Sequence, residues 1–90
     1  MKNLYFQRST GGYLLIKENV IDVDEAYKEV SEFLKRHNYT CHYIRYWTHG
    51  DETTFDVGSW SEFFKLAPAD SRFEDKLEGT EKDFIDKRMS

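Results

Sequence analysis

Cysteine is almost missing from this chain. The single Cys41 in 90 residues cannot close an intrachain disulfide, so no disulfide framework holds the fold and a reducing, cytoplasmic setting is expected. One proline, Pro68, and five glycines leave little material for a linker or a low-complexity segment, and no internal repeat is visible. No apolar run approaches the roughly 20 residues that a membrane span requires. Lys2 is not followed by an apolar stretch of signal-peptide length. Positive charge is in deficit as well: 13 Lys and Arg face 17 Asp and Glu, for a net charge of -4. That balance disfavours a protein that coats nucleic acid, because phosphate binding depends on clustered cations.

What the chain does have is aromatic bulk. Phe, Tyr and Trp make up 17% of residues. A chain of this length is one domain that buries only about 60–65% of its unfolded surface, so large side chains must supply its core. Tyr39, Tyr43, Tyr46, Trp47, Phe55, Trp60, Phe63 and Phe64 all fall between positions 39 and 66. The stretch 49–62 adds Asp51, Glu52, Asp56 and Glu62 with no Lys or Arg.

Residues 3–8 and 13–17 read as β-strands joined by the turn signal Thr10-Gly11-Gly12. Asn3-Leu4-Tyr5-Phe6-Gln7 resembles the cleavage site of tobacco etch virus protease. It departs from that site at Lys2 and Arg8, and a native strand is the reading adopted. Ala26, Val30, Phe33, Leu34 and His37 fall on one helical stripe, predicting a helix over 25–37. Asp22 with Glu25 has capping-box spacing, Lys35 and Arg36 suit the C-terminal end, and Asn38 suits the stop. Residues 39–48, 53–57 and 60–66 are β-prone, with His49-Gly50-Asp51-Glu52 turning the chain. Gly58-Ser59 is either a hairpin turn or a bulge within one long strand. Matching its length to 39–48 favours the bulge. Ser71 with Glu74 and Thr80 with Asp83 have capping spacing and predict a helical tail. The expected fold is α+β: a small antiparallel sheet of four to five strands, one helix on one face, and a short C-terminal helical tail. Residues 1–68 would form the core and 69–90 the tail of one domain.

Catalytic and metal signals are weak. His37, His42, His49 and Cys41 lack ligand spacing, and neighbouring Cys41 and His42 on a strand would point to opposite faces. No nucleophile elbow, phosphate loop or zinc-protease helix occurs, and Asp56 and Glu62 look like ordinary strand residues. A non-enzymatic chain without metal or cofactor is expected. On a strand, Tyr43, Arg45 and Trp47 share one face and His42, Ile44 and Tyr46 the other. One set must lie away from the helix, and both contain side chains typical of interface hot spots. The candidate partner-binding residues are Arg45, Trp47, His49 and Trp60, with Asp51 and Glu52 supplying charge complementarity. A single-stranded nucleic-acid binder stacking bases on the sheet aromatics is the alternative. An acidic mimic of nucleic acid is the third reading.

The segments Asp22-Val23-Asp24-Glu25-Ala26-Tyr27, Tyr43-Ile44-Arg45-Tyr46-Trp47 and Asp56-Val57-Gly58-Ser59-Trp60-Ser61-Glu62-Phe63-Phe64 resemble short uncharacterised proteins encoded by phages and prophages of Gram-positive bacteria. The likeness spans residues 13–66, and Asp-x-Gly-Ser-x-x-Glu-Phe-Phe is its distinctive part. It implies a small accessory protein that acts in the host cytoplasm by binding and modulating a host protein, such as a defence or nucleic-acid-processing protein. It brings no catalytic residues. Self-association stays open, and no membrane is implied.

Overall fold

The computed structural model of the chain describes residues 2–8, 12–39, 43–58, 62–69, 73–74 and 77–80. Its elements are β1 (Lys2–Gln7), β2 (Tyr13–Val20), α1 (Val23–Arg36), β3 (Arg45–His49), β4 (Glu52–Asp56), β5 (Phe63–Pro68) and β6 (Leu77–Thr80). They form one sheet in the order β3-β4-β5-β1-β2-β6. The first five strands pair antiparallel, as expected, and α1 packs on one face. The N-terminal strand sits in the middle, between β5 and β2, so segments from both sides of the helix close one core. Leu4, Tyr5 and Phe6 are buried there, in the strand expected over residues 3–8.

The helix forms where local chemistry places it. Asp22 is extended at φ -152°, and its Oδ1 accepts from the Glu25 N–H at 2.8 Å. This satisfies one of the amides left open by the first turn. At the other end Asn38 takes φ +56°. The Tyr39 N–H then donates to Leu34 O at 3.0 Å and the Asn38 N–H to Lys35 O at 3.3 Å. These two bonds are a Schellman closure. Tyr39 turns back over Phe33, with ring centroids 6.4 Å apart. Ala26, Val30, Phe33 and Leu34 are buried against the sheet, and each of the larger three contributes about 1.5–3 kcal/mol by leaving water.

A register shift in β2 aims side chains at the helix. Leu4 faces Lys17 while Tyr5 faces Leu15, so Ile16 is the extra residue of a bulge. Ile16 packs on the helix-side core. Lys17 stands beside Glu29 at 3.2 Å and Glu25 at 3.6 Å. The Glu29 carboxylate, with Glu25 adding to it, raises the Lys17 pKa.

Three expectations change. The strand expected over 39–48 is shorter: Tyr39 belongs to the helix closure, Tyr43 and Ile44 precede β3, and 40–42 lie outside the described residues. The glycine-bulge reading of Gly58-Ser59 gives way to two strands, because β4 and β5 run antiparallel with Thr53 opposite Leu66 and Asp56 opposite Phe63. Gly58 takes φ +89°, and its N–H donates to Asp56 Oδ1 at 2.9 Å. An Asp side chain bonding two residues ahead is a turn device, and a single continuous strand has no use for it. In the tail, Leu77–Thr80 is a strand parallel to β2 where a helix was expected. The outer edge of β2 offers a full row of backbone partners there, and Gly79 weakens any helix. Thr80, expected to start a helix with Asp83, closes β6 instead, and Asp83 lies outside the described residues.

Candidate functional site

Cross-strand pairs share a face, so the register assigns every side chain. On the helix side one row runs Tyr46, Phe55, Phe64, Phe6, Leu14. On the opposite side a second row runs Trp47, Thr54, Lys65, Tyr5, Leu15. Both rows are closed in the middle of the sheet and open at β3. Phe55 and Phe64 are fully buried, yet Tyr46 is 49% exposed. Tyr5 is fully buried, yet Trp47 is 49% exposed. All five residues of β3 are exposed.

The closed end of the second row is sealed by the segment after β5. Phe73 is buried against Tyr5 and Tyr13, with ring centroids 5.4 and 4.6 Å apart. Leu77 and Leu15 pack on the same cluster. The Tyr5 hydroxyl donates to Glu74 Oε1, and Asn3 Nδ2 reaches the same carboxylate at 3.5 Å. Sequence reading missed this clamp, because no local pattern links Asn3 to Glu74.

At the β3 end the charges are organised. Arg45 donates to Asp56 Oδ2 at 2.7 Å and lies 4.8 Å over the Tyr43 ring. Asp56 in turn caps Gly58. The Asp56 hydrogen bond, then the charge interaction with the Tyr43 phenol group, raises the Arg45 pKa. The Asp56 carboxyl is held below its ordinary value by Arg45 first and by the Gly58 N–H second. Lys65 donates to Thr54 Oγ1 at 2.8 Å and lies 3.6 Å from Glu52. The hairpin turns at Gly50, whose φ of +65° occupies the first central position where a type II′ turn wants glycine.

Of the candidate residues, the structure brings Arg45, Trp47 and His49 together on the helix-free face of one strand. Glu52 lies on the same face, opposite His49, and Asp51 is exposed in the turn between them. Trp60, together with Cys41 and His42, lies outside the described residues. The alternation question also closes: Arg45 and Trp47 face away from the helix, and Tyr46 faces toward it.

That second face was not foreseen as a site. Tyr27 on α1 is 41% exposed and meets Tyr46 edge-on at 6.3 Å. Beside them a groove of about 330 Å³ opens between Tyr27, Ser31 and Leu34 on α1 and Tyr39, Tyr43 and Ile44 on the approach to β3. Tyr27 gave one available signal, a large aromatic just off the apolar stripe of the helix. Among the described residues no three His, Cys, Asp or Glu side chains converge as metal ligands, and no helix is long and apolar enough to cross a membrane.

No family model, no curated protein and no solved structure matches this chain.

Proposed function

We propose that the chain is a non-enzymatic protein-binding module, a small accessory protein of phage type that holds and modulates a host protein through the β3 end of its sheet. One observation carries this reading. A strand bearing Arg45, Tyr46 and Trp47 is exposed on both faces, although the fully buried Phe55 lies one strand away. Aromatic and arginine side chains carry most of the energy in protein interfaces, and their clustering at one edge favours a partner surface. The acids there add specificity for a partner with basic groups, since Asp51 stands exposed beside the strand. The likeness to phage-encoded proteins supplies the host context.

Base stacking on Trp47 fits less well. Arg45 and Lys65, the cations of this face, are already engaged by Asp56 and Glu52, which leaves little positive field for phosphates. The same pairing works against a nucleic-acid mimic, which needs a row of bare acids. The test is capture from a Gram-positive lysate on the immobilised chain, followed by mass spectrometry. A specific host protein should be retained by the wild type and by Glu18→Ala, an exposed control on β2. It should be lost with Trp47→Ala. Retention of oligonucleotides that falls steeply with salt would replace this reading with base stacking. Capture untouched by Trp47→Ala would move the interface elsewhere.

A further inference from the structure

The side chains of β3 are only half of what this strand offers. A two-residue turn makes its flanking pair, His49 and Glu52, exchange both backbone hydrogen bonds, and the pattern then alternates along the ladder. Arg45, Trp47 and His49 therefore spend their backbone groups on β4. The N–H and C=O of Tyr46 and Thr48 point to the outer edge, which no described strand pairs. Edge strands usually carry a device that blunts them: a proline, a lysine, or a bulge. Here five consecutive pairs run without a register shift, and none of the five residues of β3 is Pro or Lys. Among the described residues the edge is an intact template.

Laid antiparallel on a second copy about Trp47, β3 brings its outward-facing residues Tyr46 and Thr48 opposite one another. We propose that the chain forms a twofold dimer in which β3 pairs antiparallel with β3 of a second copy, joining two six-stranded sheets into one. With the axis at Trp47, Tyr46 lies opposite Thr48 of the second copy, and all the outward backbone groups of both residues are bonded. Trp47 meets its own copy at the close, non-hydrogen-bonded position, where aromatic pairs interact best. Arg45, bonded to Asp56 of its own chain yet 66% exposed along its side chain, lies opposite His49 of the second copy and diagonal to its Asp51, so the cation at one end of the segment approaches the anion at the other. This contact occurs twice, by symmetry. The helix-free faces of both copies then form one surface around the Trp47 pair, which is a larger platform for a host protein than either copy presents.

A strand of five residues buries less than the roughly 1,200 Å² of a standard interface, so a dissociation constant on the order of 10–100 µM is expected. Sedimentation equilibrium from about 5 to about 500 µM should show the mass rising from 10.8 kDa toward twice that value, as mass action requires for such a constant. Residue-resolved amide exchange over the same range should slow about tenfold or more at Tyr46 and Thr48, because local protection follows pairing. Trp47, already bonded to β4, should change far less. Thr48→Pro removes the outward N–H and should stay monomeric, whereas Thr48→Val should dimerise like the wild type. Asp51→Lys should weaken the dimer several-fold, most at low salt. A monomer at every concentration would overturn the proposal. So would a dimer whose Tyr46 and Thr48 amides exchange unchanged, a result read on the wild type whether or not Thr48→Pro folds. A monomer that still captures a host protein through Trp47 would refute the dimer and leave the binding module standing.

Discussion

The two ends of the sheet treat the same kind of side chain in opposite ways. Tyr5 and Trp47 lie in one cross-strand row on the face without the helix. Tyr5 is fully buried beneath Phe73 and held by Glu74, whereas Trp47 is half exposed. On the helix side Phe6 and Tyr46 repeat the contrast. A single 14-residue helix covers the central strands and reaches β3 through the edge contact of Tyr27 with Tyr46, and the segment following β5 returns to β1 and β2 instead. The lesson concerns coverage. In a small domain, an aromatic residue is core or surface according to what lies over it, and strand propensity is the same in both cases.

This contrast can be broken at several points, the largest effect first. Phe64→Ala or Phe6→Ala opens a cavity at the meeting of helix and sheet and should cost about 3–5 kcal/mol in chemical denaturation, enough to leave much of the protein unfolded. Phe73→Ala should cost about 3 kcal/mol and speed amide exchange across β6, because this ring holds the covering segment on Tyr5 and Tyr13. A change of only a few tenths would mean that the closed end is not closed by Phe73. Tyr5→Phe keeps the ring and removes the hydroxyl bonded to Glu74, for a loss of about 1 kcal/mol.

A smaller effect is legible in pH. The Asp56 carboxyl sits below its ordinary value, so its contribution to stability is complete above about pH 4. It is lost as pH falls through the lower value of the folded state. Asp56→Asn should lower the melting temperature slightly at neutral pH and flatten the acid-side decline, followed by circular dichroism between neutral pH and strong acid. Parallel acid profiles for wild type and variant would show that the pairing with Arg45 is inert.

Much of this was readable in the residues. The periodic stripe of α1, its Asp22 cap and its Asn38 stop are short-range signals, and each corresponds to an observed bond or dihedral angle. Alternation put Arg45 and Trp47 on one face because a strand has period two, whereas His49 was expected in the turn and closes β3 instead. What the sequence left open was long-range. Whether Gly58 marked a bulge or a turn depended on the pairing of β4 with β5. The exposed set on β3 depended on how far α1 reaches across the sheet. Leu77–Thr80 became a strand because β2 offered an edge, which its own residues do not announce. The Asn3–Tyr5–Glu74 contact joins positions at nearly opposite ends of the chain.

Trp47 belongs to a surface and Tyr5 to the core, although they share a row. Thermal and denaturant unfolding of Trp47→Ala beside Tyr5→Ala, both as dilute protein, tests it most directly. Tyr5→Ala should lose about 3–5 kcal/mol, and Trp47→Ala should stay within about 0.5 kcal/mol of wild type. A Trp47→Ala protein destabilised as severely as Tyr5→Ala would make β3 part of the core and remove the binding face.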